Sequence, residues 1–181
     1  GLDDEISKDH DWGLRLFLFI EESKYNSLNK ILIDMFSERL PYSFLGYSTN
    51  WVFNEDKTMR PAFIEEGKVR HRIEIYSVTS YLKKILVLDS LELSEKDWLV
   101  LPEQKLLEFT SGKIFFDNVG ELTVARSKLS YFPDKVWKYK ILSQWNRISQ
   151  EIAFVGRTRL LGDELGTRIE ASRLVRLLIE M

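Results

Sequence analysis

Hydrophobic and polar positions divide the chain into a strand-bearing front and a helical end. Residues 14–20, LRLFLFI, are rich in strand-forming side chains and too short for a buried helix. Leu28, Ile31, Leu32, Met35 and Phe36 then recur at spacings of three and four, which predicts an amphipathic helix that Pro41 ends. Residues 44–53 alternate weakly, carry Trp51 and Phe53, and predict a second strand. The polar stretch NEDKTMRPAFIEEGK, around Pro61 and Gly67, reads as a loop. Residues 69–78, VRHRIEIYSV, alternate well and predict another strand, with a short helix over residues 79–86 behind it.

Ser94 and Asp97 have the spacing of a capping box, opening a helix toward Gly112 whose middle Pro102 disturbs. Residues 113–125, KIFFDNVGELTVA, suggest a hairpin turning at Asn118 to Gly120. Two helices close the chain. The first runs from about Asp134 to Phe154, with Trp137, Ile141, Trp145, Ile148 and Ile152 on one stripe. The second starts near Asp163 and carries Leu165, Ile169, Ser172 and Arg176 along one side. Leu174, Val175, Leu177 and Leu178 widen its apolar surface. This order predicts an α+β fold: a mixed β-sheet with flanking helices over residues 1–126, then a helical region over residues 127–181.

Composition removes several kinds of chemistry. No cysteine is present, so disulfides, thiolate zinc sites and cysteine nucleophiles are excluded. His10 and His71 are the two histidines, too few for a three-histidine metal site. A net charge of −2 does not indicate a nucleic-acid surface. Leu16 to Ile20, the longest apolar run, is far short of a membrane span, and the absence of a signal peptide makes cytoplasm the default compartment. The chain opens on Gly1 and stops at Met181 inside a helical pattern, so it reads as a fragment of a longer protein.

The most informative stretch is SKDHDWG, residues 7–13. On a strand beginning near Asp9, Asp9, Asp11 and Gly13 share one face, while His10, Trp12, Leu14, Leu16 and Leu18 share the other. Two aspartates so spaced stand roughly 7 Å apart at their α-carbons, and their side chains can converge on hard cations. In VRHRIEIY, Val69, Ile73 and Ile75 form an inward row, so Glu74 points the other way with Arg70, Arg72 and Tyr76. A third carboxylate from a neighbouring strand is what a two-metal phosphoryl-transfer site requires. A glutamate beside two arginines is more often a sheet-surface ion pair than a metal ligand, so on spacing alone that reading of Glu74 comes first. His71 reads as a hydrogen-bonded structural residue, as does His10.

GLDDEISKDHDWG, followed by an apolar strand, resembles the active-site strand of the DNA polymerase β-like nucleotidyltransferase superfamily. HRIEIYSV, DWLVLPEQKLLEFTSG, WNRISQEIAFVGR and GDELGTRIEASRLVR extend the likeness to a bacterial branch catalogued as a domain of unknown function, number four thousand and thirty-seven. The resemblance implies that Asp9 and Asp11 bind two magnesium ions and that Glu74 completes the site of the hydroxyl-activating ion. It implies ATP or another nucleoside triphosphate as co-substrate and an acceptor, small or macromolecular, that the sequence does not identify. The superfamily's Gly-Ser pair, which holds the triphosphate, would lie ahead of Gly1. Ser7, Arg70 and Arg72 are the candidate nucleotide contacts.

Arg147, Gln150 and Glu151 are polar residues in an otherwise apolar helix and are expected to satisfy one another between packed helices. Asp163 suits a helix cap, and Trp12, Trp98, Trp137 and Trp145 suit a core. The expected activity is metal-dependent transfer of a nucleoside monophosphate, AMP from ATP, to a hydroxyl acceptor. A non-catalytic relative that binds nucleotide or a partner protein, such as a regulatory or antitoxin-like module, is the alternative.

Overall fold

In the computed structural model, which describes residues 12–55 and 57–181, the apolar run after Gly13 forms β1, Leu16–Phe19. The predicted amphipathic helix is α1, Glu22–Arg39, and it stops one residue before the Leu40–Pro41 step. The fold is α+β: short sheets and several helices, then a C-terminal helical region.

The weakly alternating stretch differs from the single strand expected over residues 44–53. β2 (Ser43–Phe44) and β3 (Tyr47–Ser48) form a tight antiparallel hairpin, and β4 (Trp51–Phe53) follows separately. The cause is the turn: Leu45 and Gly46 both take positive φ, 51° and 83°, as a two-residue hairpin loop requires. The stretch expected to be a loop also holds a strand, β5 (Met59–Pro61), paired antiparallel with β4. Pro61 ends that strand at an edge, where its missing N–H costs no ladder bond.

β6 is Ile73–Tyr76, shorter than the predicted strand. Residues ahead of it bond elsewhere: the Val69 N–H donates to the Ser37 carbonyl (2.8 Å), and the Arg70 carbonyl accepts from the Trp51 N–H (2.9 Å). β1 and β6 pair in parallel, with Leu16 opposite Ile73, Phe17 opposite Glu74, Leu18 opposite Ile75 and Phe19 opposite Tyr76. Ser77 then caps α2, Val78–Leu86, through reciprocal bonds with Ser80 (2.9 and 3.0 Å).

The Ser94–Asp97 box closes as expected: the Asp97 carboxylate accepts from the Ser94 N–H at 2.8 Å, and Ser94 Oγ accepts from the Asp97 N–H at 3.3 Å. The helix it opens, α3, covers only Glu95–Val100, and a separate helix α4, Glu103–Thr110, starts after Pro102. The hairpin expected over residues 113–125 does not form. Gly120, at φ 80°, leads into α5, Glu121–Leu129. Asp117 makes that start: its carboxylate accepts from the N–H groups of Gly120 (2.9 Å) and Thr123 (2.8 Å) and from the Thr123 hydroxyl (2.6 Å).

Asp117→Ala removes those acceptors and is expected to lower stability by about 0.5–2 kcal/mol, read from the urea midpoint. The Thr123 hydroxyl, with the backbone donors, holds the Asp117 carboxyl below the ordinary aspartate range. A depressed acid stabilises fully above its unfolded value and loses that contribution as pH falls through the lower folded one. The gap between wild type and Asp117→Ala should therefore shrink in acid, below about pH 4.

The long helices are α6, Asp134–Leu160, and α7, Glu164–Ile179, joined through Gly162 at φ 73°. As expected, Asp163 caps α7, accepting from the Gly166 N–H at 2.8 Å. The chain divides into two compact units. One comprises the described residues up to Glu92 with Leu101–Ser130; the other comprises Leu93–Val100 with Tyr131–Met181. In the first, Trp51, Val69, Ile75, Tyr81, Leu82 and Phe109 are buried, and Tyr81 stacks on Phe109 at 5.2 Å.

In the second unit α3 and α7 pack on α6, and Trp98, Val136, Ile148 and Leu177 are buried. The expected stripes are corrected here. Trp145 and Ile152 on α6, and Leu165 and Ile169 on α7, are exposed. The covered side of α7 runs instead through Gly166, Glu170, Leu174 and Leu177, about one position round the helix. Gly166 leaves room for the capping Asp163 carboxylate, with which a β-carbon there would collide. Among the described residues no helix is long and apolar enough to cross a membrane.

Candidate functional site

The candidate site is built on β6 and its parallel partner β1. Ile75 is buried on one side of β6, and Glu74 projects from the other, as the alternation predicted. The register gives Glu74 the company of Phe17 and Phe19 from β1 and of Tyr76 from its own strand. Tyr76 is buried among aromatic rings, with Phe17 at 5.8 Å and Tyr81 at 5.1 Å between centroids.

Glu74 does not lie bare on that face, and its hydrogen-bonding partners are not the flanking arginines. Lys84, on α2, places Nζ 2.9 Å from Glu74 Oε2, and the Tyr76 hydroxyl donates to the same oxygen. Lys84 also donates to the Tyr76 hydroxyl, which closes a three-membered cluster. Among the described residues Oε1 accepts no hydrogen bond. Burial alone would raise the Glu74 carboxyl. The hydrogen bonds from Tyr76 and Lys84, with the charges of Lys84 and Arg72, outweigh burial and hold it below the ordinary glutamate range. Burial, then the bond to Glu74, pushes the Tyr76 phenol up, and its two partners hold the Lys84 ammonium firmly protonated.

Arg70 and Arg72 were expected beside Glu74, toward the triphosphate. Arg70 is exposed, with its guanidinium 5.5 Å from the Phe53 ring centre and its N–H donating to Asn50 Oδ1 at 2.8 Å. The Arg72 guanidinium lies over Trp51 at 4.7 Å. It acts on Glu74 through its charge and not through a contact. Ser7, Asp9 and Asp11, with His10, lie outside the described residues. Among the described residues no three histidine or carboxylate side chains gather into a metal-binding group.

Gly13 rests against the buried indole of Trp51; a β-carbon there would stand 2.5 Å from Cζ2. Nearby, Trp12 meets Tyr47 edge-to-face at 4.8 Å, and the two line a shallow apolar groove with Pro61 and Phe63. His71 has the structural role expected of it. Nδ1 accepts from the Ile73 N–H and Nε2 donates to the Ile33 carbonyl, both at 3.1 Å, which fixes the tautomer.

In the helical unit, Glu151 was expected to satisfy Arg147 and Gln150 on its own helix. It pairs with Arg173 of α7 instead, through contacts of 2.8 and 2.9 Å. Lys84 is the site residue that periodicity missed. Ten positions separate it from Glu74, and the strand-to-helix reversal at Ser77 alone brings them together.

Glu74 supplies what a hard cation needs from one ligand: an ionised carboxylate with one oxygen unclaimed among the described residues. No curated protein and no solved structure matches the chain. Over residues 98–181 the chain matches the family model described as Domain of unknown function (DUF4037).

Proposed function

We propose that this chain carries the core of a metal-dependent nucleotidyltransferase of the DNA polymerase β-like kind, working in the cytoplasm. Asp9, Asp11 and Glu74 would hold two magnesium ions, with Ser7, Arg70 and Arg72 near the nucleotide. An acceptor hydroxyl attacks the α-phosphorus of ATP, the bond to the β-phosphate oxygen breaks, and pyrophosphate leaves. Held by those three carboxylates, the ions would supply activation of the hydroxyl and neutralisation of charge on the phosphates.

The observation that carries this reading is the pairing of β1 with β6. Odd-numbered β1 residues, Phe17 and Phe19, stand opposite Glu74 and Tyr76 on one face. Asp9 and Asp11 precede β1 in the sequence, and the resemblance of their segment to the superfamily's active-site strand is what brings them to the site in this reading. An ionised glutamate on the adjacent strand supports the reading further.

The lysine seated on Glu74 favours a second reading, a non-catalytic relative that binds nucleotide or a partner protein. Calorimetry with magnesium and ATP, followed by an assay for released pyrophosphate, separates the two. Binding with pyrophosphate release supports transfer. Binding without release across a panel of small-molecule, protein and RNA acceptors supports the second, and no binding overturns both nucleotide readings.

A further inference from the structure

Lys84 belongs to none of the roles above, yet among the described residues it makes the closest charged contact of the candidate acid. Its ammonium stands 2.9 Å from Glu74 Oε2 and also donates to the Tyr76 hydroxyl. The neighbouring Lys83 is engaged elsewhere, 2.7 Å from Asp89, so Lys84 is the lysine that faces Glu74. We propose that Lys84 is a displaceable counter-cation: it seats Glu74 on the face shared by β1 and β6, and a divalent cation taken up there replaces it. The proposal rests on the nucleotidyltransferase reading for the identity of the other ligands.

Three features support an exchange over a permanent lock. The lysine side chain is 53% exposed and the glutamate 37%, so the ammonium can rehydrate when it leaves. Exposed ion pairs contribute little to stability, so swinging the flexible stem away costs little. A divalent ion on Glu74 would meet a positive charge within a few ångströms, and that repulsion drives the ammonium out. Tyr76 stays behind as a neutral donor to Oε2 and keeps the carboxylate oriented. While the ion is absent, Lys84 offsets the acid's charge and prevents it from turning toward other cationic groups.

Competition between two cations for one carboxylate makes their affinities reciprocal. The test is Mn²⁺ binding to the whole chain, followed by electron paramagnetic resonance, for wild type, Lys84→Met, Lys84→Arg and Asp11→Asn. Removing the ammonium is expected to tighten Mn²⁺ binding roughly tenfold, within the usual range of such couplings. Lys84→Arg keeps the charge and is expected to bind like wild type. Lys84→Gln serves if the methionine variant fails to fold, since it drops the charge and retains a donor for Tyr76. Unchanged or weaker Mn²⁺ binding in the neutral variants overturns the exchange. If Asp11→Asn loses Mn²⁺ while the Lys84 variants match wild type, only the Lys84 inference falls. If Asp11→Asn binds Mn²⁺ normally, or wild type binds none, the nucleotidyltransferase reading falls and takes the inference with it.

Discussion

Trp51→Ala is expected to destabilise the chain by about 3–5 kcal/mol, a loss visible as a large fall in the urea midpoint. Trp51 is 0% exposed and is the largest fully buried side chain. Its indole is the surface on which Gly13 rests and over which Arg72 and Arg15 lie, at 4.7 and 5.6 Å. Truncation therefore opens a cavity and also leaves two guanidinium groups without their aromatic seat. Trp51→Phe should cost less than the alanine change. The indole Nε1 is buried with no hydrogen-bond partner among the described residues, so phenylalanine removes a group that gains nothing there. A fall below about 1 kcal/mol in Trp51→Ala would mean that this core collapses around the gap.

The elements with strong periodicity were legible in the sequence: β1 and β6 stand within the stretches predicted for them, α2 starts one residue ahead of its stretch, and α1 covers the periodic positions from Leu28 to Phe36 but starts earlier, at Glu22. The α6 and α7 starts were legible too, because Asp134 and Asp163 precede clean helical patterns. Local turn chemistry was harder. Leu45 at φ 51° carries no outward sign that it will enter a hairpin turn, so β2 and β3 merged with β4 into one expected strand. Asp117 to Gly120 could serve a hairpin or open a helix. The choice fell to the helix because the Asp117 carboxylate reaches two N–H groups and the Thr123 hydroxyl together. The α7 stripe was misjudged because its covered side carries Gly166 and Glu170, which a hydrophobic pattern passes over, while Leu165 and Ile169 stand exposed. At the site, alternation correctly oriented Glu74 but could say nothing of Lys84, which arrives from a different element.

On the proposed nucleotidyltransferase reading, Asp11→Asn, Asp9→Ala and Glu74→Gln are each expected to reduce pyrophosphate release at least a hundredfold, about 3 kcal/mol of transition-state stabilisation, while leaving the fold intact. Amide or alanine replacements would remove a negative charge from the proposed metal-binding set, on which that reaction depends. For Glu74 the contrast between function and stability is the informative part. Its pair with Lys84 is more than one-third exposed on both sides, so solvent screening limits its loss to about 1 kcal/mol or less. Gln keeps an oxygen for the Tyr76 hydroxyl, and the aromatic packing around that ring is unchanged. A melting temperature near wild type with release suppressed would put Glu74 among the metal ligands. A wild-type rate would instead leave it as the anchor of α2 to β6. Wild-type turnover in both aspartate variants would remove the carboxylate assignment altogether, because no three histidine or carboxylate groups among the described residues gather to take their place.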